Sequence, residues 1–84
     1  MMLTADIEKL IREKIPGTEV SVRDLTGTMD HFEATIISKS FEGLGLVQQH
    51  QMVYAALKEP MQGPIHALKL NTYSTSDWEK RKGK

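Results

Sequence analysis

The chain has 84 residues, balances 11 Lys/Arg against 11 Asp/Glu, and contains no cysteine. A chain of this length makes one small domain that buries about 60% of its unfolded surface, too little for both a sizeable core and a deep, dry catalytic pocket. The missing thiols exclude a disulfide framework and leave His31, His50 and His66 as the available soft-metal ligands. Charge is uneven: residues 1–42 hold 5 basic against 8 acidic side chains, and residues 43–84 hold 6 against 3. Most of the positive excess is the tail from Lys80 to Lys84, expected to be a flexible, solvated end; there is no basic stripe of the kind a general nucleic-acid binder displays. The first residues carry Asp6, Glu8, Lys9, Arg12 and Glu13 rather than an apolar signal core. No run reaches the roughly 18–20 apolar residues that span a bilayer. The expectation is a single cytoplasmic domain over 1–84.

Leu3, Ile7, Leu10, Ile11 and Ile15 recur at helical spacing, with Thr4 as N-cap and Pro16-Gly17 as the stop. Val20 and Val22 alternate with polar residues as a half-buried strand. Thr26 to Asp30 is a turn, and Phe32, Ala34 and Ile36 alternate as a second strand, so the two form a hairpin. Phe41-Glu42-Gly43-Leu44-Gly45 is a loop with an apolar anchor. From Leu46 the period becomes helical, and Leu46, Val47, His50, Val53, Tyr54 and Leu57 are expected to form the buried face. Pro60, Gly63 and Pro64 leave room for a short helical turn near Glu59–Gln62. Ile65 to Tyr73 reads as a third strand. Ser74-Thr75-Ser76-Asp77 opens a last helix in the manner of a capping box, with Trp78 in its first turn.

The predicted order is therefore α-β-β-α-(short α)-β-α, an α+β domain. The hairpin strands are antiparallel, and the third strand returns after a helical crossover to lie parallel to the second. A three-stranded mixed sheet with helices packed on one face is the economical arrangement.

Several ordered motifs carry a resemblance: Ser38-Lys39-Ser40-Phe41-Glu42-Gly43, then Val47-Gln48-Gln49-His50-Gln51-Met52-Val53-Tyr54, then Ile65-His66-Ala67-Leu68, and finally Trp78. From about Val20 to Trp78 the chain resembles the BolA family. That resemblance implies a fold like class II KH domains. It also implies a non-enzymatic role as partner of monothiol glutaredoxins, sharing a [2Fe–2S] cluster held jointly with the glutaredoxin and glutathione. The isolated chain is then expected to carry no cluster and to be a monomer.

Read from the residues alone, His66 is a half-buried histidine at a strand end; the resemblance makes it the dependable cluster ligand. His31 starts the second strand out of phase with Phe32, Ala34 and Ile36 and reads either as an exposed turn histidine or as the second ligand. Relatives that use a loop cysteine show Gly-Gly-Cys-Gly where this chain has Thr26-Gly27-Thr28-Met29, so Thr28 stands in the cysteine's place. His50 and Trp78 are assigned to folding. The other class of function the fold admits is a KH-like nucleic-acid-binding regulator. Gln49 and Gln51, where the family commonly carries Arg, argue against it. So does Glu59-Pro60-Met61-Gln62-Gly63-Pro64, which lacks the Gly-x-x-Gly of a KH loop. No nucleophile elbow or phosphate loop is present.

Overall fold

The computed structural model describes residues 2–63, 65 and 67–82. The apolar i, i+3/i+4 pattern builds helix α1 (Thr4–Lys14), whose Ile7 and Ile11 are fully buried. Its N-cap is Leu3 rather than Thr4, because the Asp6 carboxylate accepts the Leu3 N–H at 2.9 Å and so supplies the cap from inside the first turn. Gly17 (φ +67°) turns the chain out of the helix in the left-handed conformation that favours glycine, and a Cβ there would also have to displace the flexible Lys39 side chain, 2.7 Å away.

Strand β1 (Thr18–Asp24) pairs antiparallel with β2 (His31–Ser38), and β2 pairs parallel with β3 (Ala67–Ser74), in the order β1-β2-β3. Along β2 exposure alternates strictly, burying Phe32, Ala34, Ile36 and Ser38 on one face. These side chains meet Ile7, Ile11 and Ile15 from the first helical segment and Val53, Ala56 and Leu57 from α2 (Leu46–Ala56) and its C-cap, with Phe41 and Ile65 completing the core. Between β2 and α2, Lys39–Phe41 forms a 3₁₀ turn that drives Phe41 inward; between α2 and β3, Pro60–Gln62 forms another. The hydrogen bonds Leu25 N–H to His31 O (2.8 Å) and Lys39 N–H to Gly17 O (3.4 Å) set the hairpin's alternation. Even-numbered residues of β1 therefore turn their N–H groups toward the sheet edge. One of these, Val22 N–H, donates to the Glu8 carboxylate at 3.0 Å, so a helix side chain blunts the edge strand.

Two further expectations fail in part. Val53 and Leu57 lie in the core as expected, but Gln49 and Ala56 join them there, while Leu46, Val47 and Tyr54 face outward. The third strand begins at Ala67, not Ile65: Ile65 is buried in the connection, its N–H donating to Pro60 O at 3.0 Å. Among the described residues no helix is long and apolar enough to cross a membrane.

Helix α3 (Thr75–Lys82) includes the first three residues of the basic tail. Ser74 Oγ accepts the Asp77 N–H at 3.1 Å as its cap, and Glu42, 34 residues away, accepts both the Ser76 N–H at 2.9 Å and the Ser76 hydroxyl at 2.5 Å. These bonds, the hydroxyl's first, hold the Glu42 carboxyl below its ordinary pKa. A depressed carboxyl stabilises the fold above the ordinary carboxylate range, and that contribution disappears as pH falls through and below it. On acidification from pH 7 to about pH 3, Trp78 fluorescence should therefore report α3 loosening across this window. Glu42→Ala should show the loosened signal already at neutral pH. An unchanged titration in that variant would mean the cap does not hold α3.

Candidate metal-ligating site at the hairpin end

The turn from β1 to β2 is organised by one side chain. Asp24 Oδ1 accepts the N–H groups of Thr26 (3.2 Å) and Gly27 (3.1 Å), and Oδ2 accepts that of Met29 (3.0 Å). Three backbone donors that the turn would leave unpaired are thereby satisfied. Met29, at φ 59°, takes the left-handed conformation that this wrapping demands. Sequence reasoning missed Asp24, although an Asp two residues before Thr26-Gly27 is the signature of a side chain capping its own turn.

The Thr26 and Thr28 hydroxyls lie 2.5 Å apart, and Thr28 donates onward to Asp30 Oδ1. The same oxygen accepts from His31 Nδ1 at 2.8 Å. A carboxylate accepts here, so the proton of this bond sits on Nδ1, and in the neutral imidazole the lone pair is then on Nε2. This carboxylate–histidine arrangement is the one that commonly orients imidazoles that bind metals. The His31 side chain is 43% exposed and lies in phase with Glu33, Thr35 and Ile37, on the sheet face away from the core.

The parallel register places His31 beside Ala67, and Ala67 N–H donates to Asp30 O at 3.2 Å, pinning the start of β3 to the same turn. His66, the residue that precedes Ala67 in sequence, lies outside the described residues. His50 is placed elsewhere, on α2 in the helix layer; its Nε2 is buried and meets no hydrogen-bond partner among the described residues. Thr28 is engaged with Asp30. Among the described residues no three His, Cys, Asp or Glu side chains converge to hold a metal. The donor set at this end is thus an oriented imidazole, a chemistry that fits one position of an iron–sulfur centre whose remaining ligands come from another molecule.

Further along the open face, Glu33 links the strands: it accepts from Arg23 Nε at 2.7 Å and Asn71 Nδ2 at 3.1 Å, with Lys69 Nζ at 3.5 Å. These bonds, Asn71's first, lower its pKa. At the far end α3 comes onto this face. The Trp78 ring is half-buried, 5.2 Å from that of Tyr73 at 57°, and the Arg81 guanidinium lies 5.3 Å above Tyr73.

The family model for BolA-like proteins matches residues 12–77. The chain belongs to the BolA family. A BolA protein homologue from Coxiella burnetii shares the fold at a TM-score of 0.81 and 36% identity, over 94% of this chain and 99% of that one. The DNA-binding transcriptional regulator BolA of Escherichia coli (strain K12) is 30% identical over 86 aligned positions, covering 94% of this chain and 82% of that protein. BolA-like protein 1 of Bos taurus is 40% identical over 53 residues, 63% of this chain, and the match spans 39% of that longer protein. The α+β architecture with its three-stranded mixed sheet is thus the BolA fold. Within that fold the Asp24-wrapped turn, with His31 following it, and the start of β3 at Ala67 form one end of the sheet.

Proposed function

We propose that this BolA-family chain is a non-enzymatic partner of a monothiol glutaredoxin and co-ligates a bridging [2Fe–2S] cluster through His66 and His31. The observation that carries the reading is the parallel register of His31 with Ala67, which joins the hairpin turn and the start of β3 at one exposed end. Glutaredoxin supplies a cysteine thiolate and bound glutathione, and this chain supplies neutral imidazole. Exchanging thiolate for imidazole removes negative charge from the cluster and raises its reduction potential. Because protonated imidazole cannot ligate, retention of the cluster weakens on acidification. Such a partner acts in cluster transfer or maturation, or in iron-linked regulation, in the cytoplasm.

The test is a titration of the full chain into cluster-loaded monothiol glutaredoxin with glutathione, followed by visible absorption and circular dichroism. A new mixed-ligand spectrum at one-to-one stoichiometry is expected. The isolated chain should bind no stable cluster, since two imidazoles leave half of the four donors per pair of iron termini unsupplied. A stoichiometric cluster on the chain alone would sink the proposal.

The Escherichia coli relative, named a DNA-binding transcriptional regulator, favours a second reading, a nucleic-acid-binding regulator on the KH-like scaffold. It requires a cationic surface, and α2 carries no charged side chain at all. Binding to a random duplex with a salt slope reporting several phosphates would establish it in place of the first reading.

A further inference from the structure

At the end of the sheet away from the hairpin turn, a cleft lies between α3 and the open face. Its floor is two cross-strand pairs, Glu19 with Ile37 and Ser21 with Thr35, and Trp78 forms a wall. It encloses about 370 Å³. Val20 also lines the cleft, although its side chain packs on the core side of β1. What Val20 brings to the cleft is main chain: as an even-numbered residue of β1 it turns its N–H and C=O to the sheet edge. The next N–H of that edge, at Val22, is closed by the Glu8 carboxylate. No such side-chain bond reaches Val20 among the described residues. The edge is thus open beside the cleft and shut just beyond it. Charge sharpens the site. Arg23 and Lys69 of the same face are held by Glu33, and Arg81 lies over Tyr73, whereas Glu19 is exposed and has no ion-pair partner among the described residues.

We propose that this corner takes an extended peptide segment of another protein, added as a strand beside β1 at Val20 and carrying a lysine or arginine across from Glu19. Strand addition draws affinity from main-chain bonds and specificity from side-chain pockets, and both elements meet here. Val20 exchanges its two edge bonds with one peptide residue, whose side chain then lies on the core side. The residues flanking it point to the open face, one of them directly across from Glu19. That position belongs to a pair without mutual hydrogen bonds, where side chains approach most closely and opposite charges attract. The aliphatic stem of a lysine or arginine lies along Ile37 and Trp78 while its head meets the carboxylate. A second copy of this chain fits less well: two β1 strands paired about Val20 would set Glu19 against Ser21, with no cation for it. Because Glu8 closes the edge at Val22, the added strand is short and the binding weak. The site is independent of the cluster ligands, which lie at the other end of β1.

The experiment is a titration of the isotope-labelled full chain with the capped peptide Thr-Val-Thr-Lys-Thr-Val-Thr to about 2 mM, followed by amide NMR. The Val20 N–H should shift saturably and its hydrogen exchange should slow, the Trp78 indole N–H should move with it, and the amides of residues 24–31 should stay in place. Replacing the peptide's lysine by glutamate should weaken binding about fivefold or more, since an attractive cross-strand pair becomes a repulsive one. Glu19→Lys should reverse that preference. Glu19 is exposed, so the far-UV circular dichroism of this variant should be unchanged. The absence of a saturable shift at Val20 overturns the proposal, as does equal affinity for the two peptides. Shifts at Val20 that follow the concentration of the chain itself, with no peptide present, would give the edge to a second copy and overturn it too.

Discussion

Phe41→Ala is expected to destabilise the domain by about 3–5 kcal/mol, the usual cost of emptying an aromatic site in a closed core. Phe41 is fully buried, and a 3₁₀ turn held by the Ser38 hydroxyl, which accepts the Ser40 N–H at 3.1 Å, fixes its entry. The pocket it leaves lies within the buried core, where the surroundings relax only in part. Small domains have only about 5–15 kcal/mol of net stability, so this variant should sit near unfolding at room temperature. Trp78→Ala should behave differently. Trp78 is half-buried on the open face, and what it contributes is a tilted contact with Tyr73 and a share of the Arg81 guanidinium at 5.9 Å. Aromatic pairing and cation–π contacts of this kind sum to about 1–2 kcal/mol. Urea unfolding followed by far-UV circular dichroism compares the two without relying on tryptophan emission. Equal midpoints would show that α3 belongs to the cooperative core rather than lying against its outer face.

The sheet was legible because β2 obeys a strict two-residue alternation that buries Phe32, Ala34 and Ile36, and because Glu19, Ser21 and Arg23 alternate with Val20 and Val22 along β1. Helix α1 was legible for the matching reason: Lys9, Arg12, Glu13 and Lys14 mark its wet side. Helix α2 has no such marks. Val53 and Leu57 are buried as the periodicity indicates, but with Leu46, Val47 and Tyr54 outside and the Gln49 amide inside, where its Nε2 donates to Leu44 O at 3.1 Å, the buried face is rotated away from the one hydrophobic periodicity picks out. Ile65 misled in a similar way, since an apolar residue just before a strand can fill the core from a loop while its backbone lies outside the ladder. The cap of α3 by Glu42 spans 34 residues and depends on where the loop after Phe41 ends, which no local pattern encodes. At the candidate site, His31 was readable as out of phase with its strand. Its orientation by Asp30, and the wrapping of the turn around Asp24, emerge only when the strands are in register. The role of His66 rests on the family resemblance.

If the hairpin end ligates as proposed, His66→Ala should remove the mixed-ligand spectrum, or return it to that of glutaredoxin alone, while far-UV circular dichroism stays unchanged. His31→Ala should act less completely, since it deletes an imidazole on a loop flank while the Asp24-wrapped turn and the β2–β3 ladder persist. The cluster should become more labile and its potential should move, with docking retained. Asp30→Asn tests the same imidazole through its support. An amide accepts the Nδ1 proton less strongly than a carboxylate, so His31 becomes a poorer ligand without being removed, and the spectrum should shift in the direction of His31→Ala. Thr28→Cys should lower the potential, because a thiolate returns negative charge to the centre. Thr28→Val controls for the lost hydroxyl bond to Asp30. His50 lies in the helix layer, away from the open-face side on which His31 sits, so His50→Ala should leave the spectrum of the folded complex as it was. A spectrum governed by His50 and indifferent to both His66 and His31 would place ligation on α2 and refute the hairpin-end site.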